Sequence, residues 1–342
     1  MEIKKALVIS IKHLGDVVTT TCVLPLLREN WPGLEIHYLV NPEAAPLVAA
    51  HPLAAKVFTT GRREGAAAAF KLARALRREK YDLALDYSES DRGAFWGLVS
   101  GAGLRVGYRS KPAHLFRNLS HTHLLPDRSR AFGRHISACH SQALAALGRP
   151  AARAPLPRLY YTEAGRNEAR ELLGRHQVEG LYAAAHFTAH DAVRLWPAES
   201  CAEAANWLAA RVGPVFVVSG RNAGERDFVA SILAQSRGRV IDPGPLSLDT
   251  LMALLDGAAL FMGLDSVVGH MAGALGRPVV SIFGPASEVH WAPRGPRVRV
   301  AHSGRPCRPC VTGGCLGHYR SACLRDLSFE DHVRPLAEDL LQ

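Results

Sequence analysis

The chain has 342 residues, 48% of them hydrophobic and 21% charged, with a formal net charge of +10. That length suits two domains of about 150 residues each, the composition excludes a disordered chain, and no apolar run reaches the ~18 residues of a membrane span. The charge calls for an anionic partner, and with no zinc-finger spacing and no aromatic RNP-like strand to mark nucleic acid, an acidic glycan or anionic membrane surface is favoured over a merely soluble basic surface.

The opening MEIKKALVISI runs straight into a strand at residues 5–11, without a signal-peptide pattern, so a cytoplasmic protein is expected. A turn, Lys12-His13-Leu14-Gly15-Asp16, leads to a helix expected over 17–29. Asp16 falls at the carboxyl edge of a parallel sheet, where open α/β sheets bind ligands. Asp is also a favoured helix cap, the competing use. Strand 35–40, a helix near 42–50 and strand 56–59 follow. Over 66–80 the spacing predicts a helix with Lys71, Arg74 and Arg78 on one face, opposite Phe70, Ala73 and Leu76. That stripe suits an anionic membrane surface and equally a solvated face. Strand 82–86 and a short helix at 94–100 precede a basic, irregular stretch at 104–123, which holds Arg105, Arg109, Lys111 and Arg117. A helix at about 132–147 ends at Gly148, and the proline-rich residues after it read as an interdomain linker.

A helix near 163–176 opens a second block of alternating strands and helices. Strand 181–187 runs into HFTAHDAVRLWP, with Pro197 at the first turn of a helix to about 211. Strand 214–219 leads into Gly220-Arg221-Asn222-Ala223-Gly224-Glu225. The most informative run is 258–285, AALFMGLDSVVGHMAGALGRPVVSIFGP. It reads as a buried strand, Asp265-Ser266 with N-cap chemistry, a helix over 267–275, a left-handed cap at Gly276 and a strand at 279–283. The first turn of such a helix is an anion site through its unpaired N–H groups and its dipole. Ser266 adds a hydroxyl, and His270 lies one turn on along the same face. Simple capping, with His270 as a partly buried imidazole, is the competing account.

Four of the seven cysteines cluster as Cys307-x2-Cys310-x4-Cys315-x7-Cys323. In a cytoplasmic protein such a cluster more often holds a metal than disulfides. A structural zinc is the simplest assignment and iron the alternative, with His302 and His318 as other ligands. Four free thiols are the competing reading. A closing helix is expected over 328–341.

DSVVGHMAGALGRPVVSIFGP followed by Trp291 is similar to the C-terminal signature of glycosyltransferase family 9, the ADP-heptose:lipopolysaccharide heptosyltransferases. Val267, after Ser266, resembles the heptosyltransferase III branch. GDVVTTTCVLPLLRENWPG resembles the family's opening motif, with Cys22 in place of the usual Pro and Ser10 where Lys or Arg is common. The resemblance implies an α/β fold of GT-B architecture, two Rossmann-like domains facing across a cleft. These would be an acceptor domain at 1–150, a linker at 151–160, and a nucleotide-sugar domain at 161–327 with its Cys-rich segment at 304–324. A helix at 328–342 would return to the first domain. It implies an inverting transfer of heptose from ADP-heptose to the inner core of lipopolysaccharide, with Asp16 as general base. On the donor side it implies Thr188 at a phosphate, Arg194 in place of a donor-phosphate Lys, Glu225 at the ribose, and Asp265, Ser266 and His270. Lys12, Arg109, Lys111 and Arg117 would meet the acidic acceptor. No cofactor or catalytic metal is expected, since no DxD-type pair stands out. The expected setting is cytoplasmic, peripheral to the anionic inner-membrane surface, with no nucleic acid as partner. The rivals are a transferase using another nucleotide-sugar or a protein acceptor, and a non-catalytic nucleotide, glycan or nucleic-acid binder.

Overall fold

The computed structural model describes residues 2–111, 114–127, 133–151, 155–220, 222–310, 315 and 321–342. It forms two compact units, Met1–Tyr160 and Tyr161–Gln342. The described end of the proline-rich stretch belongs to the first unit: Arg158 N donates to Thr21 Oγ1 at 3.1 Å, and Leu159 is buried.

The first unit runs β1 (Lys5–Ser10), α1 (Leu14–Thr20), α2 (Val23–Asn30), β2 (Glu35–Val40), α3 (Pro46–Ala49), β3 (Lys56–Thr59), α4 (Ala66–Glu79) and β4 (Leu83–Asp86). It continues α5 (Asp91–Val99), β5 (Leu104–Tyr108), α6 (Leu115–Ser120), β6 (His123–Leu125) and α7 (Ile136–Ala146). Its strands pair in parallel in the order β3-β2-β1-β4-β5-β6. Central strands covered on both faces need unbroken apolar runs, and β1 is buried from Ala6 to Ser10.

Two expectations change here. The helix expected over 17–29 is two helices, because Pro25 lacks an N–H and its ring would clash with the carbonyl of Thr21 four residues back. Thr19, Thr20 and Thr21 hydroxyls also bond back to Asp16, Val17 and Val18 carbonyls at 2.7–2.9 Å, drawing the chain out of the helical ladder. On α4 the buried positions are Leu72 and Leu76, while Phe70, expected on that face, is 71% exposed.

The second unit runs α8 (Glu163–Arg175), β7 (Ala183–His186), α9 (Ala198–Arg211), β8 (Val215–Val217), α10 (Ala223–Gln235), β9 (Val240–Ile241), α11 (Leu248–Gly257) and β10 (Leu260–Leu264). It closes with α12 (Val267–Ala274), β11 (Val279–Ile282), α13 (Glu288–Trp291), β12 (Val298–Ala301), α14 (Ala322–Arg325) and α15 (Arg334–Leu341). Its parallel strands lie in the order β12-β11-β10-β7-β8-β9, which is the order of the first sheet repeated. Both sheets are thus doubly wound, with strand order reversing between β1 and β4 and between β7 and β10. Pro197 precedes α9 as its N-cap residue instead of entering its first turn. Gly276 takes a φ of 78°, the left-handed cap that ends α12. In the closing helix, Val333, Ala337 and Leu340 are buried in the second unit's core beside Leu324, Leu327 and Phe329. Among the described residues no helix is long and apolar enough to cross a membrane.

Candidate active site

Ligands of open α/β sheets bind beyond the carboxyl ends of the strands where the order reverses. In the first unit that point lies after β1 and β4. Ile11 N donates to Ser88 Oγ at 3.0 Å, and Lys12 Nζ stands 3.0 Å from Glu89 Oε2. Glu89 holds a φ of 48°, a left-handed conformation that is costly for a residue with a Cβ and that clusters at functional sites. Asn41 Nδ2 donates to Lys12 O at 2.8 Å, and Arg92 Nη2 donates to Asn41 Oδ1 at 3.3 Å and to Thr60 O, so the loops after the first four strands are laced together.

Asp16 is the third residue of α1 and is 8% exposed. Its helix is held from behind by a buried chain of polar groups. Thr19 Oγ1 donates to Asp16 O at 2.9 Å, which commits its single proton. His140 Nε2, 3.2 Å away, must therefore donate to that oxygen, and His140 Nδ1 accepts from Tyr108 OH at 3.0 Å. The four basic residues expected to meet the acceptor separate into two kinds. Lys12 is paired with Glu89, and Arg117 donates to Asp91 Oδ1 at 2.6 Å and to Glu89 O at 3.0 Å. Arg109 and Lys111 are exposed.

In the second unit the corresponding point lies after β7 and β10. Arg194 ends a 3-10 turn, and its Nη1 stands 3.2 Å from Asp265 Oδ2. Burial pushes the Asp265 carboxyl above the ordinary aspartate range, and the Arg194 charge opposes that shift. The loop carrying Arg194 is strapped down on both sides: Ser321 Oγ donates to Val193 O at 2.8 Å, and Trp196 Nε1 to Leu327 O at 2.9 Å.

Ser266 occupies the N-cap position of α12 in extended conformation, yet its side chain makes no capping bond. Its Oγ is shielded from solvent and has no partner. The simple-capping account of this residue therefore fails, and a buried hydroxyl is left at a helix N-terminus where anions bind. His270, one turn on, is buried. Thr188 is buried at the mouth of β7 with its Oγ1 3.2 Å from His186 Nε2. Burial lowers the His186 pKa to about 4, so the imidazole is neutral, and its Nδ1 is shielded without a partner. Glu225 Oε2 accepts from Gly220 N at 2.6 Å, closing the loop after β8; a Cβ at Gly220 would collide with that oxygen.

Among the described residues no three of Cys307, Cys310, Cys315 and Cys323 bring their sulfurs within 4.8 Å of one another. Cys307 and Cys315 are exposed, Cys310 is half-buried and Cys323 is buried, while Cys315 Sγ accepts from Ala322 N at 3.2 Å. His318 lies outside the described residues. Among the described residues the one group placing three potential ligand atoms within 4.8 Å of one another is Glu35, His37 and Glu79. There Lys5 and Lys56 already pair with the carboxylates.

Sequence reasoning missed His186, Glu89, Asn41 and Arg92. His186 could have been suspected as the last residue of a strand two positions before Thr188. The others become visible only once β2, β3 and β4 end beside β1.

The family model described as Glycosyltransferase family 9 (heptosyltransferase) matches residues 69–319. The chain is 27% identical over 299 residues to lipopolysaccharide heptosyltransferase 3 of Escherichia coli (strain K12), covering 82% of this chain and 83% of that one. A glycosyltransferase family 9 structure from Veillonella parvula DSM 2008 superposes with a TM-score of 0.83 at 21% identity, covering 100% of this chain and 98% of that one. The E. coli ADP-heptose lps heptosyltransferase II gives 0.79 at 19% identity, covering 98% of each chain. The two six-stranded sheets are thus those of a GT-B-like fold. With the family model spanning both loops that bring Arg194 to Asp265, the chain belongs to glycosyltransferase family 9 and is a glycosyltransferase.

Proposed function

We propose that this glycosyltransferase moves heptose from ADP-heptose to the inner core of lipopolysaccharide with inversion at the anomeric carbon, working at the cytoplasmic face of the inner membrane. The observation that carries the donor side is the second unit's switch point, where the Arg194–Asp265 pair adjoins an α12 N-terminus bearing a buried, unpartnered Ser266 hydroxyl. A diphosphate would take the Ser266 hydroxyl and α12 N–H groups as donors, with Thr188 and Arg194 adding a hydroxyl and a cation. His270 stands one turn along α12, and Glu225 is assigned to the ribose through the carboxylate oxygen that does not hold Gly220. Charge developing on the departing diphosphate is stabilised by groups already in place, so no step is routed through a metal.

Asp16 is the general base in this reading. A sugar hydroxyl must lose its proton as it attacks, and the Asp16 carboxylate, carried on a helix whose backbone the Thr19–His140–Tyr108 chain holds, can accept it. Arg109 and Lys111 are the exposed cations for an acidic acceptor, and Lys12 and Arg117 shape the same edge of the sheet from within their ion pairs. The reading requires acceptor and donor to meet in the reacting complex.

Calorimetry with ADP-heptose, ADP and UDP-glucose tests the donor, and transfer to isolated inner-core acceptor tests the reaction. Adenine-selective binding, with transfer reduced at least ~100-fold in Asp16→Asn while donor affinity holds, is the expected result. Equal binding of UDP-glucose, or full transfer by Asp16→Asn, would overturn the donor or the base assignment respectively.

A further inference from the structure

The first unit leaves an apolar surface uncovered. α5 and α6 pack side by side. Arg117 pins α6 to Asp91 at the start of α5, and Arg105 Nε donates to Ser120 O at 2.7 Å at the other end of α6. With both helices fixed in this way, α5 turns Trp96 inward and Phe95 and Leu98 outward. The solvent face of α6 is Leu115, Phe116 and Leu119, of which Leu115 is 63% and Leu119 72% exposed. Five large apolar side chains on two packed helices form more than the scattered exposure normal for a protein surface.

Cations border this surface. Arg77 Nε donates to Val99 O at 2.8 Å, tying α4 to the carboxyl end of α5. α4 carries Lys71, Arg74 and Arg78, all exposed, together with the exposed Phe70. Its one acidic residue, Glu79, is engaged by Lys5 and Lys56 and faces away from that row.

We propose that the α4–α6 face docks on an anionic phospholipid bilayer. Phe95, Leu98, Leu115, Phe116 and Leu119 enter the boundary between headgroups and acyl chains, and the α4 row meets the lipid phosphates. The charge pattern selects this occupant. A second copy of the chain, related by a two-fold axis, would set the same unneutralised cations against each other. An anionic surface accepts both the apolar patch and its border. The proposal deepens the reading of a lipid-linked acceptor and rests on it for its purpose, since a docked enzyme meets such an acceptor within the membrane plane.

Flotation of the full chain with phosphatidylcholine vesicles, alone or carrying roughly a third phosphatidylglycerol, tests it. Wild type is expected to float with the anionic vesicles and far less with the neutral ones, and added salt should release it. The triple variant Phe95→Ser/Leu115→Ser/Leu119→Ser should lower partitioning at least ~10-fold. Lys71→Gln/Arg74→Gln/Arg78→Gln should lower it ~100-fold on anionic vesicles and leave neutral ones unchanged, at about fivefold per charge. Unchanged ADP binding by calorimetry verifies that each variant is folded. Equal flotation of wild type and both variants would overturn the proposal. So would a wild-type dimer, seen by sedimentation, that the apolar variant dissolves. Transfer to a water-soluble acceptor fragment separates the two readings: its loss with vesicle binding intact refutes the transferase assignment and leaves the docking surface standing.

Discussion

Arg194 Nη1 stands 3.2 Å from Asp265 Oδ2, although the two residues are 71 positions apart in the chain. The pair joins the loop after β7 to the loop after β10 at the point where strand order reverses. The Asp265 side chain is 11% exposed and the Arg194 side chain 46%. A nearly buried carboxylate thus orients a guanidinium that still reaches solvent. The guanidinium keeps donors beyond the one given to Asp265, and under the proposed function these would meet the donor diphosphate.

Arg194→Ala should weaken ADP binding by roughly 10- to 100-fold, the worth of one or two charge-assisted hydrogen bonds. Arg194→Lys should recover only part of that loss, because an ammonium lacks the planar fork. Calorimetric titration with ADP reads both, and unaltered affinity in the alanine variant would remove Arg194 from the donor site.

His186 is held neutral by burial, with its pKa lowered to about 4. A histidine that protonates less readily when folded destabilises the fold as it is forced to charge. Stability should be full above pH ~6.5 and fall as pH drops toward about 4. His51 is lowered to about 4 by burial as well and moves the same way, so the measurement is the difference between wild type and His186→Gln in thermal unfolding across that window. Identical slopes would mean His186 does not titrate as its burial requires. His186→Phe, which removes the partner of the Thr188 hydroxyl, should also weaken ADP binding about 3- to 10-fold.

Asp265 behaves in the opposite sense. Its carboxyl is raised by burial, so the folded protein binds a proton that the unfolded chain has released, and stability falls as pH rises from the ordinary aspartate value of 3.8. Asp265→Asn should flatten that fall while weakening ADP binding through a loosened Arg194. Urea unfolding between pH ~3.5 and ~7 provides the comparison.

Glu79 pairs with Lys5 and Lys56 in the first unit. Hydrogen bonds from Lys56 and then Lys5 outweigh its burial and hold its pKa at about 2. That contribution is present above pH ~4.5 and is lost as pH falls toward about 2. The full shift corresponds to ~3 kcal/mol. Because Lys56 is 51% exposed and screened, Glu79→Gln should cost about 1–2 kcal/mol at neutral pH, and less in high salt. Chemical unfolding at two salt concentrations checks both statements.

The apolar runs at residues 5–11 and 258–264 were legible as buried strands because a strand covered on both faces must be continuous in hydrophobicity. Gly276 was legible as a cap because few other residues accept a φ of 78° cheaply. Tertiary commitments were not legible. Periodicity placed Phe70 on the inner face of α4, whereas the helix is rotated to seat Leu72 and Leu76. Ser266 carries the same residue type whether it caps or not, and only the fold leaves its hydroxyl without a partner. Lys12 and Arg117 read as loose cations in a basic sequence because Glu89 and Asp91 reach them through strand pairing and helix packing.

The last helix completes the core of the half it belongs to, so residues 161–342 form an uninterrupted stretch of chain with a whole six-stranded sheet, and residues 1–160 carry the other. No segment of either sheet is borrowed from across the boundary. A gene cut at that point would yield two open reading frames, each encoding one finished structural module, and the second module could be swapped between relatives as a single cassette.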